Sequence, residues 1–263
     1  MELAEEIDLG IVVAFGQIIK TELLTKIPLV NIHFSLLPRW RGAAPVERAI
    51  LAGDKETGVC LMAVAKGLDT GDVYASQKIK IDDTVTAAEL RLILTDLGIK
   101  MLTDKLSKIP DDAYLNGGKS PGGEEMLRRY FGEPIKQEGE ATYAAKIGPE
   151  DLKIIWENQT SAVLRQIRLA KAWTVFRGER LIIHDAMMYS VKNVSEHVSE
   201  DILTKENDIL ADSIPGTISR SGLIVTGDGL IKVRKLQSSG RAVLDFDNWS
   251  AGTHLKDGER LGI

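Results

Sequence analysis

The chain has 263 residues, 44% apolar and 27% charged, with a formal net charge of -5. That is enough for one large domain or two smaller ones, with the ordinary composition of a globular protein. No apolar run reaches the roughly 18 residues of a membrane span, the acidic balance does not mark a nucleic-acid binder, and four scattered histidines with one cysteine offer no metal-ligand spacing.

In chain order, Ile11-Val12-Val13-Ala14-Phe15 is a short apolar run ended by Gly16 and reads as a buried parallel strand. Thr21 to Lys26 predicts a short helix stopped near Pro28, and Val30 to His33 the next strand. Ala44 to Ala52 is helix-like, with Pro45 suited to its first turn and Gly53 to the position after its end. Val59 to Val64 predicts a strand, and Val73 to Ile81 a more edge-like one. Ala87 to Leu106 carries Leu90, Ile93, Leu94, Leu97, Met101 and Leu102 at helical spacing and predicts a long helix on the sheet. Strands alternating with helices argue an α/β fold with a parallel sheet.

Residues 110–140 are rich in Pro, Gly and Asp and read as a long irregular connection with one short helix at Glu124 to Tyr130. The expected domains are therefore 1–135 and 136–263. Beyond the connection, Ser161 to Leu169 predicts a helix. Short strands follow at Thr174–Phe176, Arg180–His184, Gly216–Ile218, Leu223–Thr226 and Leu230–Leu236, separated by Gly- and Ser-bearing turns. That spacing suggests a small β-barrel, with the polar stretch from Asn193 to Ile209 as one of its loops.

Charge is divided unevenly. Residues 1–140 hold 17 Lys+Arg and 22 Asp+Glu, whereas residues 141–263 hold 16 of each. An RNA partner would have to be met by a local basic surface. The first ten residues hold three glutamates, one aspartate and no cation, which fits neither a secretory signal nor a transit peptide. Cys60, in Val59-Cys60-Leu61-Met62, reads as a buried thiol suited to a reducing compartment. A cytoplasmic location is expected.

The chemistry concentrates in Asn31-Ile32-His33, followed 36 residues after His33 by Asp69 in Gly67-Leu68-Asp69-Thr70-Gly71-Asp72. On an extended segment Asn31 and His33 face one side and Ile32 the other. An amide, an imidazole and a carboxylate suit acyl or formyl transfer to an amine. Asn31 can donate to a developing oxyanion, His33 can donate to it or accept the amine proton, and Asp69 can orient the imidazole or anchor a relay water. Taken singly, each side chain also fits a structural role: Asn31 a cap, His33 a strand end, Asp69 a turn former. Arg39-Trp40-Arg41-Gly42 is either a solvated loop or a phosphate-facing edge.

Asn31-Ile32-His33, Ser35-Leu36-Leu37-Pro38 and Leu68-Asp69-Thr70-Gly71 together resemble the folate-dependent formyltransferase family. The continuation Arg39-Trp40-Arg41-Gly42-Ala43-Ala44-Pro45 is similar to its methionyl-tRNA branch, as are Glu140 to Ile147, Ile167-Arg168, Gly227-Asp228-Gly229 and Trp249 with Gly252. The resemblance implies a Rossmann-like formyltransferase domain followed by an OB-type barrel that binds tRNA. The implied reaction moves a formyl group from 10-formyltetrahydrofolate to the amino group of initiator methionyl-tRNA, without a metal or membrane, in a monomer. It places Asn31, His33 and Asp69 in the catalytic trio and Ser35, Leu36, Leu37 and Pro38 on the folate. Phe15, Gly16, Gln17 and Ile18 would line the pterin pocket with the loop 65–72, and Arg39, Arg41 and Lys146 would meet RNA.

The sequence departs from the family at three places. It opens well inside the family's first domain, Lys20 stands where a proline usually closes the segment, and residues 110–135 are longer and different. The first departure predicts a fragment or a chain read from an internal start, with strand edges and apolar helix faces uncovered. It also sets up an alternative, a catalytically impaired tRNA-binding fragment. A glycinamide ribonucleotide or amino-sugar formyltransferase would share the trio but not the Arg-Trp-Arg word with a barrel-like tail. A Rossmann oxidoreductase is disfavoured because no Gly-x-Gly-x-x-Gly opens a helix.

Overall fold

The structure, a computed structural model, describes residues 7–13, 19–110, 122–189 and 213–263. The chain forms two compact units, residues 1–146 and 147–263. The expected barrel loop at 193–209 lies outside the described residues.

The first unit runs β1 (Gly10–Val13), α1 (Thr21–Leu24), β2 (Leu29–His33), β3 (Arg41–Gly42), α2 (Pro45–Ala52), β4 (Glu56–Ala63), β5 (Val73–Lys80), α3 (Ala87–Leu106), α4 (Gly123–Phe131) and β6 (Tyr143–Ala144). Its sheet has the order β1-β2-β4-β5. Only the β1–β2 pair is parallel; β4 runs antiparallel to both β2 and β5. The strand expected to be buried at Ile11 to Phe15 is an edge in its described part, where Ile11 and Val13 are 44% and 53% exposed. An edge strand loses cover along one side, and here the outward residues of an apolar run lose it too.

β2 and β4 are the buried inner strands of this sheet. Ile32 packs toward α3 where Gly98 lies, and a Cβ at Gly98 would sit 2.9 Å from its side chain. The approach of α3 to β2 thus depends on the missing side chain at Gly98. On α3, Leu90, Leu94 and Met101 are buried, while Leu92, Ile93 and Ile99 are exposed; Ile93 was expected on the packed face.

α3 begins with a reciprocal cap. Thr86 Oγ1 accepts from the Glu89 backbone N–H, and the Glu89 carboxylate accepts from the Thr86 N–H at 2.8 Å. Thr86→Ala should cost about 1 kcal/mol in chemical denaturation. The bonds from Thr86 lower the Glu89 carboxyl from its ordinary value. Glu89's contribution is therefore present above the ordinary glutamate range and is lost as pH falls through the lowered value. The gap between wild type and Thr86→Ala should narrow in acid.

The second unit runs α5 (Pro149–Leu152), α6 (Thr160–Ile167), β7 (Trp173–Phe176), β8 (Glu179–Tyr189), β9 (Thr217–Ile218), β10 (Leu223–Val225), β11 (Leu230–Ser238), β12 (Leu244–Asp245), α7 (Phe246–Thr253) and β13 (Glu259–Arg260). Its sheet has the order β13-β9-β10-β11-β8-β7, with β12 on β11. The pairs are antiparallel, and a bridge between Phe176 and Leu261 with Gly262 N–H on Val175 O at 2.8 Å nearly closes a barrel. Trp156, Val163, Ile183, Ile224, Ile231, Phe246 and Trp249 fill its core. α7 and β13 are elements the sequence pattern did not announce.

Candidate active site

The site is built in the first unit from the end of β2, the turn 34–44, the loop 64–72 and a strap, residues 135–144. β2 lies between β1 and β4, with Asn31 opposite Val12 on one neighbour and Met62 on the other. Asn31 and His33 share a side, as their spacing predicts. The Asn31 carboxamide is half-buried and makes no hydrogen bond to another described residue. His33 is 5% exposed.

Both ring nitrogens of His33 face acceptors. Nε2 lies 2.9 Å from the Trp40 carbonyl, which can only accept, so Nε2 carries a hydrogen. Nδ1 lies 3.6 Å from Asp69 Oδ2. That same carboxylate oxygen accepts from the Gly42 N–H at 2.7 Å. Asp69 sits at φ 50° and Gly42 at φ 118°. A side chain at Gly42 would be strained by that angle and would meet the Ala144 carbonyl, with Cβ at 2.9 Å. His33 and Asp69 are thus brought together, with Asp69 delivered from a separate loop and Asn31 two residues from His33 on the same side of β2.

The folate-contact candidates divide. Ser35 is fully buried, and its hydroxyl donates to the Arg39 carbonyl at 2.5 Å, which shapes the turn. Leu37 packs on Cys60, Met62 and Val73. Leu36 lines a small cleft of about 220 Å³ with Arg39, Trp40, Asp54 and Thr57. Pro38 follows a cis peptide and gives its carbonyl to the Thr142 N–H. Phe15, Gly16, Gln17 and Ile18 lie outside the described residues. The Cys60 thiol is buried, and burial raises it from its ordinary value.

The cationic candidates also differ. Arg39 is committed: it makes two bonds to the Asp54 carboxylate, at 2.8 and 2.6 Å, and its guanidinium lies 4.5 Å from the Trp40 ring centroid. Trp40 Nε1 donates to the same carboxylate at 2.8 Å, and the pairing raises Arg39 above its ordinary value. Arg41 instead gives Nε and Nη2 to the neutral Gln137 Oε1, at 3.1 and 2.6 Å. No carboxylate among the described residues pairs with it. Lys146 is exposed, and its carbonyl accepts from Arg48.

Gln137, Gly42 and Thr142 were not singled out from sequence as site residues. Gln137 sits in the stretch read as irregular connection and bonds to residues 66, 68 and 96 positions away. Spacing along one chain carries no sign of such contacts. Among the described residues no group of His, Cys, Asp and Glu could hold a metal ion, and no helix is long and apolar enough to cross a membrane.

Residues 2–106 match the family described as Formyl transferase, and residues 146–254 its C-terminal domain. A protein of Neisseria meningitidis named methionyl-tRNA formyltransferase is 32% identical over 262 residues, 97% of this chain and 75% of its own length. The chain belongs to the methionyl-tRNA formyltransferase family. It is therefore a formyl-transferring transferase by family. Among solved structures, HypX from Aquifex aeolicus in complex with tetrahydrofolic acid has a TM-score of 0.62 at 18% identity over 94% of this chain. The chain spans 39% of HypX. The methionyl-tRNA formyltransferase from Clostridium thermocellum has a TM-score of 0.52 at 23% identity, over 68% of this chain and 72% of its own. Both structures share the fold; the family assignment stands on the sequence relative.

Proposed function

We propose that this chain transfers the formyl group of 10-formyltetrahydrofolate to the amino group of initiator methionyl-tRNA. The observation that carries this reading is the His33–Asp69 pair, with Asn31 two residues from His33 on the same side of β2, in a chain whose relatives are named for that reaction. The Asn31 side-chain amide, which bonds to no other described residue, fits a substrate carbonyl oxygen. The folate supplies the formyl carbon when bound.

Each residue has a defined part in this reading. Asn31 donates to the carbonyl oxygen as negative charge builds on it. His33, with Asp69 beside it, takes the proton from the attacking amine as the new C–N bond forms, and a proton returns to the folate N10 as the formyl C–N10 bond breaks and tetrahydrofolate leaves. Because Nε2 is capped by the Trp40 carbonyl, the proton enters on the Asp69 side. The Asp69 side chain is 16% exposed against 6% for His33, so the carboxylate is the more open member of the pair. We read the first unit, residues 1–146 in place of the expected 1–135, as the catalytic domain and the barrel as an OB-type tRNA-binding domain, in a cytoplasmic monomer, with Lys146 near the tRNA.

Incubation of the purified chain with 10-formyltetrahydrofolate and methionyl initiator tRNA should yield formylmethionyl-tRNA. Formylation of an amino-sugar nucleotide in its place would overturn the acceptor. Tight tRNA binding without turnover would favour the non-catalytic alternative.

Arg41 is the cation we assign to a tRNA phosphate, since its charge has no carboxylate partner among the described residues. Arg41→Ala should weaken tRNA binding more than folate binding and reduce the slope of log affinity against log salt by about 1. Arg39→Ala should change that slope less, because Asp54 already neutralises Arg39. Equal salt slopes for wild type and Arg41→Ala would remove Arg41 from the interface.

A further inference from the structure

The strap grips both loops of the site. At its start, Ile135 and Val73 exchange two backbone hydrogen bonds of 2.8 Å. At its end, the Thr142 and Ala144 carbonyls accept from Arg41, Ala43 and Ala44 N–H groups, and Thr142 Oγ1 accepts from the Trp40 N–H. Between these ends lies Gln137, and every atom of its carboxamide is used. Nε2 donates to the Asp69 carbonyl at 2.9 Å and to the Gly71 carbonyl at 2.7 Å, while Oε1 accepts from Arg41.

Chemistry fixes this orientation. A guanidinium can only donate, so Oε1 must face Arg41, and the two hydrogens of Nε2 are left for the two carbonyls. Asp69 needs such restraint. It holds a left-handed backbone angle that costs a residue with a side chain more than glycine, aspartate less than most, and that neighbouring bonds help to hold. Gln137 holds its main chain, and the Gly42 N–H holds its carboxylate.

We propose that Gln137 is a positioning residue for Asp69: it sets the backbone from which the carboxylate reaches His33, and Arg41 sets Gln137. The inference rests on the formyl-transfer reading of the site. Gln137 touches none of the reacting atoms; it acts through the 69–71 turn.

Gln137→Glu is the decisive variant. It keeps the size and still accepts from Arg41, but it sets an oxygen against two carbonyls in place of a donor. In formyl transfer to methionyl-tRNA its kcat should fall about 10²-fold with the folate KM within about threefold of wild type, as for a misplaced catalytic group, while its new carboxylate neutralises Arg41 and raises the tRNA KM. Gln137→Leu, which adds no charge, should lose a similar factor and carries the test if Gln137→Glu does not fold. Placed on Asp69→Asn, either change should cost nothing further, whereas an independent effect on folding would add.

A second readout needs no turnover. The His33 imidazole nitrogen resonances of the unliganded protein should shift in Gln137→Glu and stay put in Glu138→Gln, an exposed neighbour. Wild-type kcat in Gln137→Glu beside an inactive Asp69→Asn would overturn the role of Gln137 and leave the site reading intact. Full activity in Asp69→Asn would overturn the site reading itself.

Discussion

His33→Ala should abolish formyl transfer, with kcat down by about 10²–10⁴-fold, the usual share of a positioned acid–base group. Folate affinity, measured by equilibrium binding, should stay close to wild type. The reason is the ring's place. It is buried, with Nε2 against Trp40 and Nδ1 toward Asp69, which in the proposed reading suits it to moving a proton rather than to gripping the co-substrate. The substitution also leaves the Trp40 carbonyl without its donor, at a cost of about 1–3 kcal/mol. A thermal melt separates that loss from the kinetic one. His33→Gln keeps a polar side chain of similar length, so it should recover stability without recovering rate. A fall in folate affinity that matches the fall in rate would show that His33 binds the co-substrate rather than serving the chemical step.

What the sequence reveals of this site is its local half. Asn31 and His33 share a side because strand period is two, and that is visible in three consecutive residues. Helices announce themselves the same way: Ala87 to Leu106 is observed with the boundaries its spacing predicts. Strand direction is not local. β4 runs antiparallel to β2 although helices and strands alternate, because alternation does not say on which side, or which way, a strand returns. Edge exposure is equally hidden, since Ile11 and Val13 are apolar whether or not something lies beside them. In the barrel, β8 is twice as long as the stretch that alternates cleanly. Bulges opposite Lys235 break the period, and pairing with β11 continues beyond them. The helix that carries Trp249 gives no such signal. Phe246 and Trp249 bury one side of a segment whose other residues are polar or small.

The far half of the site depends on a residue without a side chain. Gly71 is buried where loop 64–72 turns against the end of β4, and a Cβ there would lie 1.9 Å from the Ala63 carbonyl oxygen. That atom is backbone and cannot rotate away. It belongs to a strand paired to β2, and the Ala63 N–H is itself bound to the Asp72 carbonyl at 2.9 Å. Gly71→Ala must therefore push the loop off the strand. Forcing even a methyl into a packed site costs about 1–3 kcal/mol, and here the upper end applies because neither backbone segment can yield separately. At that cost the melting temperature should fall by about 5–10 °C. The displaced loop carries Asp69, two residues away, and breaks the Gln137 bond to the Gly71 carbonyl. Formyl transfer measured well below the melt should then fall about 10²-fold. Gly67→Ala is the matched control in the same loop. The atoms nearest its Cβ would belong to the Thr70 side chain rather than to backbone, so stability and rate should change less than in Gly71→Ala. Equal losses in the two variants would mean that the loop tolerates no added side chain anywhere, and that the Gly71–Ala63 contact has no special part in placing Asp69.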